Sequence, residues 1–533
     1  MRARLFPGRE RQLRLAADTR VAARPPLSPT TPHAAMIPLF ANRWLVAIPP
    51  IWLLGVGALI TLIVLAVIWA ILLAVAPRAA AEARTSLRDG FAGPLAWLLL
   101  TLAAVAVAFS PLVPMGQIWR SLVRLTSAEQ ASVTVDVPAG ASLQEIPLDL
   151  RPQELSTLQL ESTAPLLVRT QQPIEGFALS KVPDVELDAT NDNRWSWNRT
   201  EGATNPFLGA KAKLDASNAS DKPVQLKATW KLVPEFPQAA ILPWTVVTLL
   251  TLSLCYGLFR LVPRRIAAVA SSTTKEAIGQ PIFSVALLVG GLLLVAFIVI
   301  PYNTFGEDVK MLKDSGLTLI KVLALLVVVW TASVSVAEEI EGRTALTVLS
   351  KPLTRTQFIL GKFAGLVLVA LLVFLILGAV LLATTSLKVV YDAREGSKVD
   401  PIWRDCADEM ITVVPGLVLS LLETILLAAV SLAVSTRLSI VPNLIICFTV
   451  YALGHLVPLI VQSSVGKIAI VRFVGQLFAT ILPVLEHFTI EAAVIGGVPV
   501  PWSYLGWAAL YAALYSAVAL LVALVLFQDR DLA

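Results

Sequence analysis

The chain has 533 residues, of which 56% are hydrophobic and only 15% are charged, and its mean hydropathy is +0.75. Because soluble globular proteins carry about 25% charged residues, this composition argues against an ordinary soluble domain. The net charge of +5 fits the Lys and Arg that membrane proteins keep in cytoplasmic loops, so we expect no nucleic-acid partner. Three cysteines and three histidines, far apart in the sequence, predict neither a disulfide framework nor a metal site.

Residues 1–35 form a basic leader with seven Arg and several Pro. They predict a disordered tail, or a start codon assigned too early, with Met36 as the first residue of the mature protein. A basic targeting or membrane-surface arm is the third interpretation.

Apolar blocks of about 20 residues predict nine membrane spans, give or take one span. A helix of that length crosses roughly 30 Å of hydrocarbon and satisfies its own backbone hydrogen bonds. The blocks are 51–76, 94–113, 239–261, 282–300, 317–336, 363–383, 413–434, 440–461 and 502–527. Pro49 and Pro50 predict a helix break before the first block. The semi-apolar stretch 462–501 is expected either to dip into the membrane or to lie on its surface.

Residues 120–236 are mostly polar and predict an inserted soluble domain rich in β-strands. From Val224 to Leu232 every second residue is apolar, which is the period of a half-buried strand. Short strands between Pro, Asn, Asp and Gly turns predict a small sandwich. Asn198 and Asn218 each begin a glycosylation sequon, a pattern short enough to arise often by chance.

The spans and the insert predict four parts after the leader. They are a two-span unit at 36–119, the β-rich domain at 120–236, a third span with a cytoplasmic connector at 237–281, and a six-span core at 282–533. The expected fold class is therefore an all-α polytopic membrane protein with an inserted β-rich, sandwich-like domain.

Loop charge predicts the orientation, because cytoplasmic loops carry the excess of Lys and Arg. The loops at 77–90, 260–280, 337–362 and 435–438 and the C-terminal tail hold 13 Lys and Arg, and the loops opposite, at 302–315, 385–412 and 462–500, hold 8. We therefore expect the first group in the cytoplasm and the β-rich domain outside a cell (inner) membrane. This orientation places the Arg-rich leader outside as well, a conflict that a start at Met36 removes.

The segment 338–362 joins the fifth and sixth spans and has an unusual charge pattern. Ala345, Val348 and Leu349 fall at i, i+3 and i+4, which predicts a turn of amphipathic helix that ends before Pro352. Such a short element between two spans suits docking to a soluble partner. The plainer interpretation is an ordinary cytoplasmic loop with positive charges.

Charged residues flank that turn on both sides. Three acids at 338, 339 and 341 stand beside Arg343, so we expect ion pairs within the segment. Arg355 and Lys362 are expected at the lipid headgroups, where they would hold the next span in place.

The order of an acidic pair, Glu-Gly-Arg-Thr, Leu-Ser-Lys-Pro, Arg and Gly-Lys between two spans resembles the signature of ABC-2-type transporter permeases. It is most similar to the branch described as permeases of multicopper-enzyme maturation systems. The resemblance covers about residues 270–530, and the first three spans and the β-rich domain depart from the simplest members. It implies a permease of two copies, or of this chain with a related one, and a coupling helix that contacts a cytoplasmic ABC ATPase. The residues that it assigns to this coupling role are Glu338, Glu339, Glu341, Gly342, Arg343, Thr344, Leu349, Ser350, Pro352, Arg355, Gly361 and Lys362.

An ATPase site is not expected in the chain itself. The pairs Gly361-Lys362 and Gly466-Lys467 lack the leading Gly and the following hydroxyl of a phosphate loop. ATP is therefore expected on a separate subunit, and we predict no catalytic residue and no bound cofactor here.

Glu423 lies in the middle of the seventh span. An intramembrane carboxylate is costly and is a functional candidate by default, so an ion-coupled secondary transporter is one alternative. The structural alternative is a Glu that faces the bundle interior. His455 and the pair Glu486-His487 allow a proton relay or simple packing. A further alternative is a non-transporting membrane scaffold that anchors a surface assembly through the β-rich domain.

Overall fold

A computed structural model describes most of the chain beyond the leader. The described residues are 44–77, 90–125, 130–141, 144–148, 150–170, 185–187, 192–198, 207, 212–234, 236–261, 264–300, 307–341, 353–396, 401–462, single positions between 470 and 477, 482–489 and 500–528. The leader at 1–35 lies outside them, and so do residues 342–352.

The described residues form eleven α-helices, which we number in chain order. The helices are α1 (Ile48–Val75), α2 (Ala92–Phe109), α3 (Met115–Val123), α4 (Ile241–Leu261), α5 (Arg264–Gly279), α6 (Pro281–Val299), α7 (Asp308–Glu341), α8 (Arg355–Glu395), α9 (Trp403–Ser435), α10 (Ile440–Gln462) and α11 (Trp502–Gln528). Eight of them are long and apolar enough to cross a membrane: α1, α2, α4, α6, α7, α8, α9 and α11. Within α10 the described apolar stretch is shorter, Ile440–Leu456. These helices confirm a membrane-protein fold, and the ninth span stays a prediction.

Three helices extend further than their apolar blocks predict. α7 begins at Asp308, α8 runs for 41 residues to Glu395, and α9 begins at Trp403. Much of the predicted polar loops at 302–315 and 385–412 is therefore helical. The reason is that several charged residues of these stretches have partners inside the bundle, so their charges do not have to be exposed to water in a loop.

The predicted break at Pro49 and Pro50 is wrong. Both prolines lie in the first turn of α1, where the backbone N–H groups have no partner within the helix and their loss costs little. A 3₁₀ turn, Leu45–Ala47, leads directly into this helix.

The inserted region is a sandwich of two antiparallel four-stranded sheets. The strands are β1 (Gln130–Val137), β2 (Gln144–Leu148), β3 (Leu155–Ser162), β4 (Leu166–Thr170), β5 (Val185–Leu187), β6 (Arg194–Asn198), β7 (Ala212–Ser217) and β8 (Val224–Leu232). The strand orders are β1-β8-β3-β6 and β2-β7-β4-β5. Alternate residues of both sheets meet in one core, where Leu158 and Trp230 lie with Leu214. The period-2 pattern from Val224 to Leu232 therefore identified a true strand with one buried face.

Asn218 has a structural role in the sandwich and does not present an exposed amide to a glycan. It is buried, and its Nδ2 donates to the carbonyl oxygens of Val137, Pro138 and Lys222 at 3.3, 3.0 and 2.9 Å. Its Oδ1 accepts hydrogen bonds from the backbone N–H and the hydroxyl of Ser220. The sequon at this position thus fixes the turn before β8.

The helical bundle has two ends that differ in what they carry. At the sandwich end, α2 leads into the sandwich and α4 follows it. The start of α9 lies there too, because Gln238 Nε2 donates to Asp408 Oδ1 at 2.9 Å and the rings of Phe236 and Trp403 are 4.4 Å apart. At the opposite end, the loop end, α7 finishes at Glu341 and α8 begins. The buried cores of α7, α8 and α9 form the centre of the bundle, with α1 and α4 at its margin.

Candidate functional site

A charge cluster lies in the centre of the bundle, where α7, α9 and α10 meet. Glu423 of α9 is fully buried, and Lys321 of α7 places its Nζ 3.1 Å from Glu423 Oε2. His455 of α10 places its Nε2 2.8 Å from Glu423 Oε1. With an ionised Glu423, which can only accept, this contact is a hydrogen bond donated by His455 Nε2. Lys321 also lies 5.4 Å from the ring centre of Tyr451. We call these four residues the charge cluster.

The charge cluster lies inside the bundle, away from the ends of the helices that carry it. Glu423 precedes the end of α9 at Ser435 by 12 residues, or about 18 Å at 1.5 Å per residue. His455 follows the start of α10 by 15 residues, or about 22 Å. Both side chains therefore lie several helical turns from the loop end, inside an apolar bundle. A lone charge there is expensive, and the two partners explain how Glu423 is tolerated.

Two side chains of the charge cluster are buried, and a third is partly exposed. The side chains of Glu423 and Lys321 are 0% and 9% exposed, whereas that of His455 is 23% exposed. His455 is therefore the member of the charge cluster with the largest exposed fraction among these three side chains. The structural alternative for Glu423, a carboxylate facing the bundle interior, agrees with this geometry.

Two further buried cations lie nearer the sandwich end. Lys313 of α7 pairs with Glu409 of α9, and its Nζ also donates to Thr412 Oγ1 at 2.6 Å. Lys388 of α8 lies 3.4 Å from Asp308 and donates to the carbonyl oxygens of residues 298 and 300. The sequence assigned both lysines to loops, and the structure corrects this: they are neutralised inside the bundle.

A second polar contact joins α7, α9 and α10 between the charge cluster and the loop end. Asn443 is fully buried, and its Nδ2 donates to Ser333 Oγ at 2.7 Å and to Ser431 Oγ at 3.0 Å. Cys447 Sγ in turn donates to Asn443 Oδ1 at 3.3 Å. The same three helices are thus held together by polar groups at two levels.

At the loop end, Lys362 does not reach the lipid headgroups as expected. It is only 2% exposed, and its Nζ donates to the carbonyl oxygen of Ser335 at 3.1 Å and lies 5.6 Å from the ring centre of Phe358. The prediction is wrong because Lys362 lies on the face of α8 that packs against α7. It ties the start of α8 to the last turns of α7.

Arg355, at the first position of α8, contacts the last helix. Its Nη1 donates to the carbonyl oxygen of Gln528 at 3.0 Å, and Arg437 Nε donates to that of Leu526 at 2.9 Å. Two guanidinium groups thus complete the carbonyl end of α11, where positive charge is favoured. Thr354 and Gln357 form a reciprocal capping box that fixes where α8 begins.

Gly361 lies where α8 packs closely against α5. A Cβ at this position would lie 2.5 Å from Val269 Cβ, so only glycine allows the two helices to approach this closely. Gly365, one turn later, meets α5 in the same way, and its carbonyl oxygen accepts from Thr274 at 3.3 Å. The sequence predicted only a connector where α5 lies.

The remaining predicted coupling residues fall at the edge of the description or outside it. Glu338, Glu339 and Glu341 lie in the last turns of α7, where the backbone alone is described. The central residues lie outside the described residues: Gly342, Arg343, Thr344, Leu349, Ser350 and Pro352. The ion pairs expected around Arg343 stay a prediction.

Part of the stretch 462–501 packs inside the bundle. Leu485 is fully buried, and its N–H donates to the carbonyl oxygen of Gly454 at 3.2 Å in the middle of α10. The N–H of Val484 donates to Tyr511 Oη at 3.0 Å. His487 is T-stacked on Tyr511, so residues 482–489 favour the dip over the surface alternative. The predicted relay pair Glu486-His487 lies against α11.

Sequence reasoning singled out Glu423 and His455 separately but not their pairing. Lys321 was missed, although a lysine within the apolar block 317–336 is itself a signal of an intramembrane partner.

No protein-family model matches the chain, and no curated protein matches it.

Proposed function

We propose that this chain is the membrane-spanning permease subunit of an ABC-2-type transporter, driven by a separate cytoplasmic ATPase that docks on segment 338–362. Two observations together carry the proposal: the signature in that segment, and the contacts that fix the start of α8, the helix that follows it. Immediately after it, α8 is joined to three neighbours: to α11 through Arg355, to α5 through Gly361 and to α7 through Lys362. A displacement of the segment by a docked partner would therefore move α8 together with α5, α7 and α11.

The charge distribution supports a cytoplasmic loop end. Two of the eight Lys and Arg assigned to the opposite loops, Lys313 and Lys388, are buried and paired within the bundle. Lys362, in the loop-end group, is buried too, and without these three lysines the two groups hold 12 and 6 Lys and Arg. Topology follows cations in loops near the ends of spans, so the bias toward the loop end is stronger than the sequence count indicates. In this orientation the sandwich lies outside the cell (inner) membrane.

The transport cycle would be a population shift between inward-facing and outward-facing states of a dimer, formed by two copies or by this chain and a related permease. ATP binding to the docked subunits would favour one state by differential contact, because a ligand shifts an equilibrium only as far as its affinities for the two states differ. The chain supplies the pathway and the docking segment, and the partner supplies ATP hydrolysis.

Affinity purification of the tagged chain from native membranes in mild detergent tests the proposal. We expect mass spectrometry to find a Walker-type ATPase with the wild-type chain, and to lose it when Glu339 and Arg343 are changed to Ala. Arg404→Ala is the matched control, since it removes a partly exposed arginine at the sandwich end. Repeated recovery of the intact chain without any ATPase would favour the scaffold alternative.

A second candidate, an ion-coupled secondary transporter, rests on the charge cluster. A fully buried carboxylate inside the helical bundle, with a partly exposed histidine beside it, is an arrangement suited to binding a proton or cation. Transport by Glu423→Gln in vesicles separates the two candidates. Uptake that needs ATP and persists at the normal rate in this variant would remove the second candidate.

A further inference from the structure

The short helix α3, between α2 and the sandwich, has three distinct sides. At 100° per residue, Ile118 and Ser121 fall on one side, and Met115, Trp119 and Val123 form a second, because residues four apart are offset by only about 40°. The third side carries polar groups. The transport proposal does not explain why this nine-residue helix has three chemically different sides.

The first side packs against protein. Ile118 is 3% exposed and joins the apolar cluster that covers the ends of α2 and α4, where Val113 and Ile241 lie. Ser121 is buried beside it. This side fixes the axis of α3 across the sandwich end of the bundle.

The second side is an unpartnered apolar stripe. Met115, Trp119 and Val123 are 44%, 65% and 63% exposed, and Leu112, just before the helix, continues the stripe at 49%. Soluble surfaces rarely present contiguous apolar side chains of this size without a partner. The stripe adjoins the spans α2 and α4, whose own exposed apolar side chains, Val107 and Trp244 among them, face lipid in a membrane protein.

The third side carries Arg120 and Arg124, which lie about 100° and 140° around the helix axis from Trp119. Arg120 Nε donates to the carbonyl oxygen of Gly116 at 3.0 Å. Arg124 forms an ion pair of 2.6 Å with Glu154, which immediately precedes β3. α3 is therefore connected both to the bundle and to the sandwich.

α3 lies at the level where the apolar spans α2 and α4 have their ends. It begins six residues after α2 ends at Phe109, and it lies beside the start of α4. At this same end, Trp244 and Trp502 lie near the starts of α4 and α11 and are 64% and 78% exposed. Trp is enriched where membrane meets water, so Trp119 extends a belt of such side chains.

We propose that α3 is an interfacial helix that lies in the plane of the leaflet at the sandwich end, with Met115, Trp119 and Val123 among the lipid acyl chains and headgroups. Amphipathic helices with Trp and aliphatic residues on one face and Arg on the other bind membranes in this way. Through Arg124 and Glu154, the lipid-bound helix sets the tilt of the sandwich over the membrane. The partner of this surface is thus the bilayer, and neither a second copy nor another protein.

Site-directed spin labelling of the full chain in phosphatidylcholine nanodiscs tests the proposal. The exposed Cys255 is changed to Ser, and labels are placed through Trp119→Cys, Val123→Cys and, as the matched control on the polar side, Arg120→Cys. Dissolved oxygen concentrates in lipid and a neutral nickel chelate concentrates in water. We expect the ratio of oxygen to nickel collision rates to be several-fold higher at 119 and 123 than at 120.

Two results would overturn the proposal. Equal nickel access at all three positions would place α3 in water. Low collision rates for both reagents at 119 and 123 would show that protein covers the stripe, and dipolar broadening between labels would identify a second copy. Two labelled positions on the stripe guard against misfolding of one variant, which size-exclusion chromatography detects. The measurement needs no ATPase, so its outcome is independent of the transport proposal.

Discussion

The charge cluster makes a quantitative prediction about stability. Changing Glu423 to Gln removes the only carboxylate in contact with Lys321 among the described residues, and it leaves an ammonium that is 9% exposed in the bundle. Breaking a buried pair by removing one partner costs about 3–5 kcal/mol. Lys321→Met leaves Glu423 with the hydrogen bond from His455, so we expect a smaller loss. In the double variant both charges are gone, and replacing a buried pair with neutral groups is often close to neutral.

The free energy of unfolding in mixed detergent micelles measures these losses as a double-mutant cycle. We expect the double variant to lose less than the sum of the single losses. Because the double variant is close to neutral, the coupling energy should be at least as large as the Glu423→Gln loss, about 3–5 kcal/mol. Glu307→Gln is the matched control, because its pair with Lys310 is solvent-exposed and such pairs contribute at most about 1 kcal/mol. Additive losses, or a loss in Glu423→Gln no larger than in the control, would refute the assignment of a coupled buried pair.

Three other substitutions test the contacts around the site by the same unfolding measurement. Gly361→Val would force α8 away from Val269 and should destabilise the bundle by about 1–3 kcal/mol, whereas an unchanged stability would contradict the close approach. Asn443→Leu should cost about 1–3 kcal/mol, because it leaves the buried hydroxyls of Ser333 and Ser431 without that donor; no loss would mean that they find other partners. Arg355→Ala should cost less than about 1 kcal/mol, since the Arg355 side chain is solvent-exposed where it meets the end of α11, and a larger loss would show that it does more than cap that helix.

The sequence predicted the spans well because uninterrupted apolar blocks of about 20 residues are rare outside membrane-spanning helices. It underestimated the lengths of α7 and α8, because the lysines at 313 and 388 are typical of loops. Only the fold shows that Glu409 and Asp308 pair with them. The same limit applies to Lys362. A lysine near the start of a span predicts a headgroup contact, and nothing local indicates that its helix turns this position toward α7.

The charge cluster and α3 escaped prediction for related reasons. Lys321 and Glu423 are separated by about a hundred residues, and their contact depends on how α7 and α9 pack, which one sequence does not encode in a local pattern. The helix α3 is only nine residues long, too short for a periodic pattern to distinguish it from a linker. The strand from Val224 to Leu232 was identified because its alternation is long and regular.

Site-specific photo-crosslinking tests the central claim, that segment 338–362 docks an ATPase, most directly. A photoreactive amino acid at Thr347 lies within the predicted amphipathic turn, and one at Arg404 lies at the sandwich end as a control. On irradiation of intact membranes, we expect Thr347, and not Arg404, to form an adduct that contains a Walker-type ATPase. A photoreactive group that is incorporated and accessible at Thr347 but forms no ATPase adduct would contradict the permease proposal.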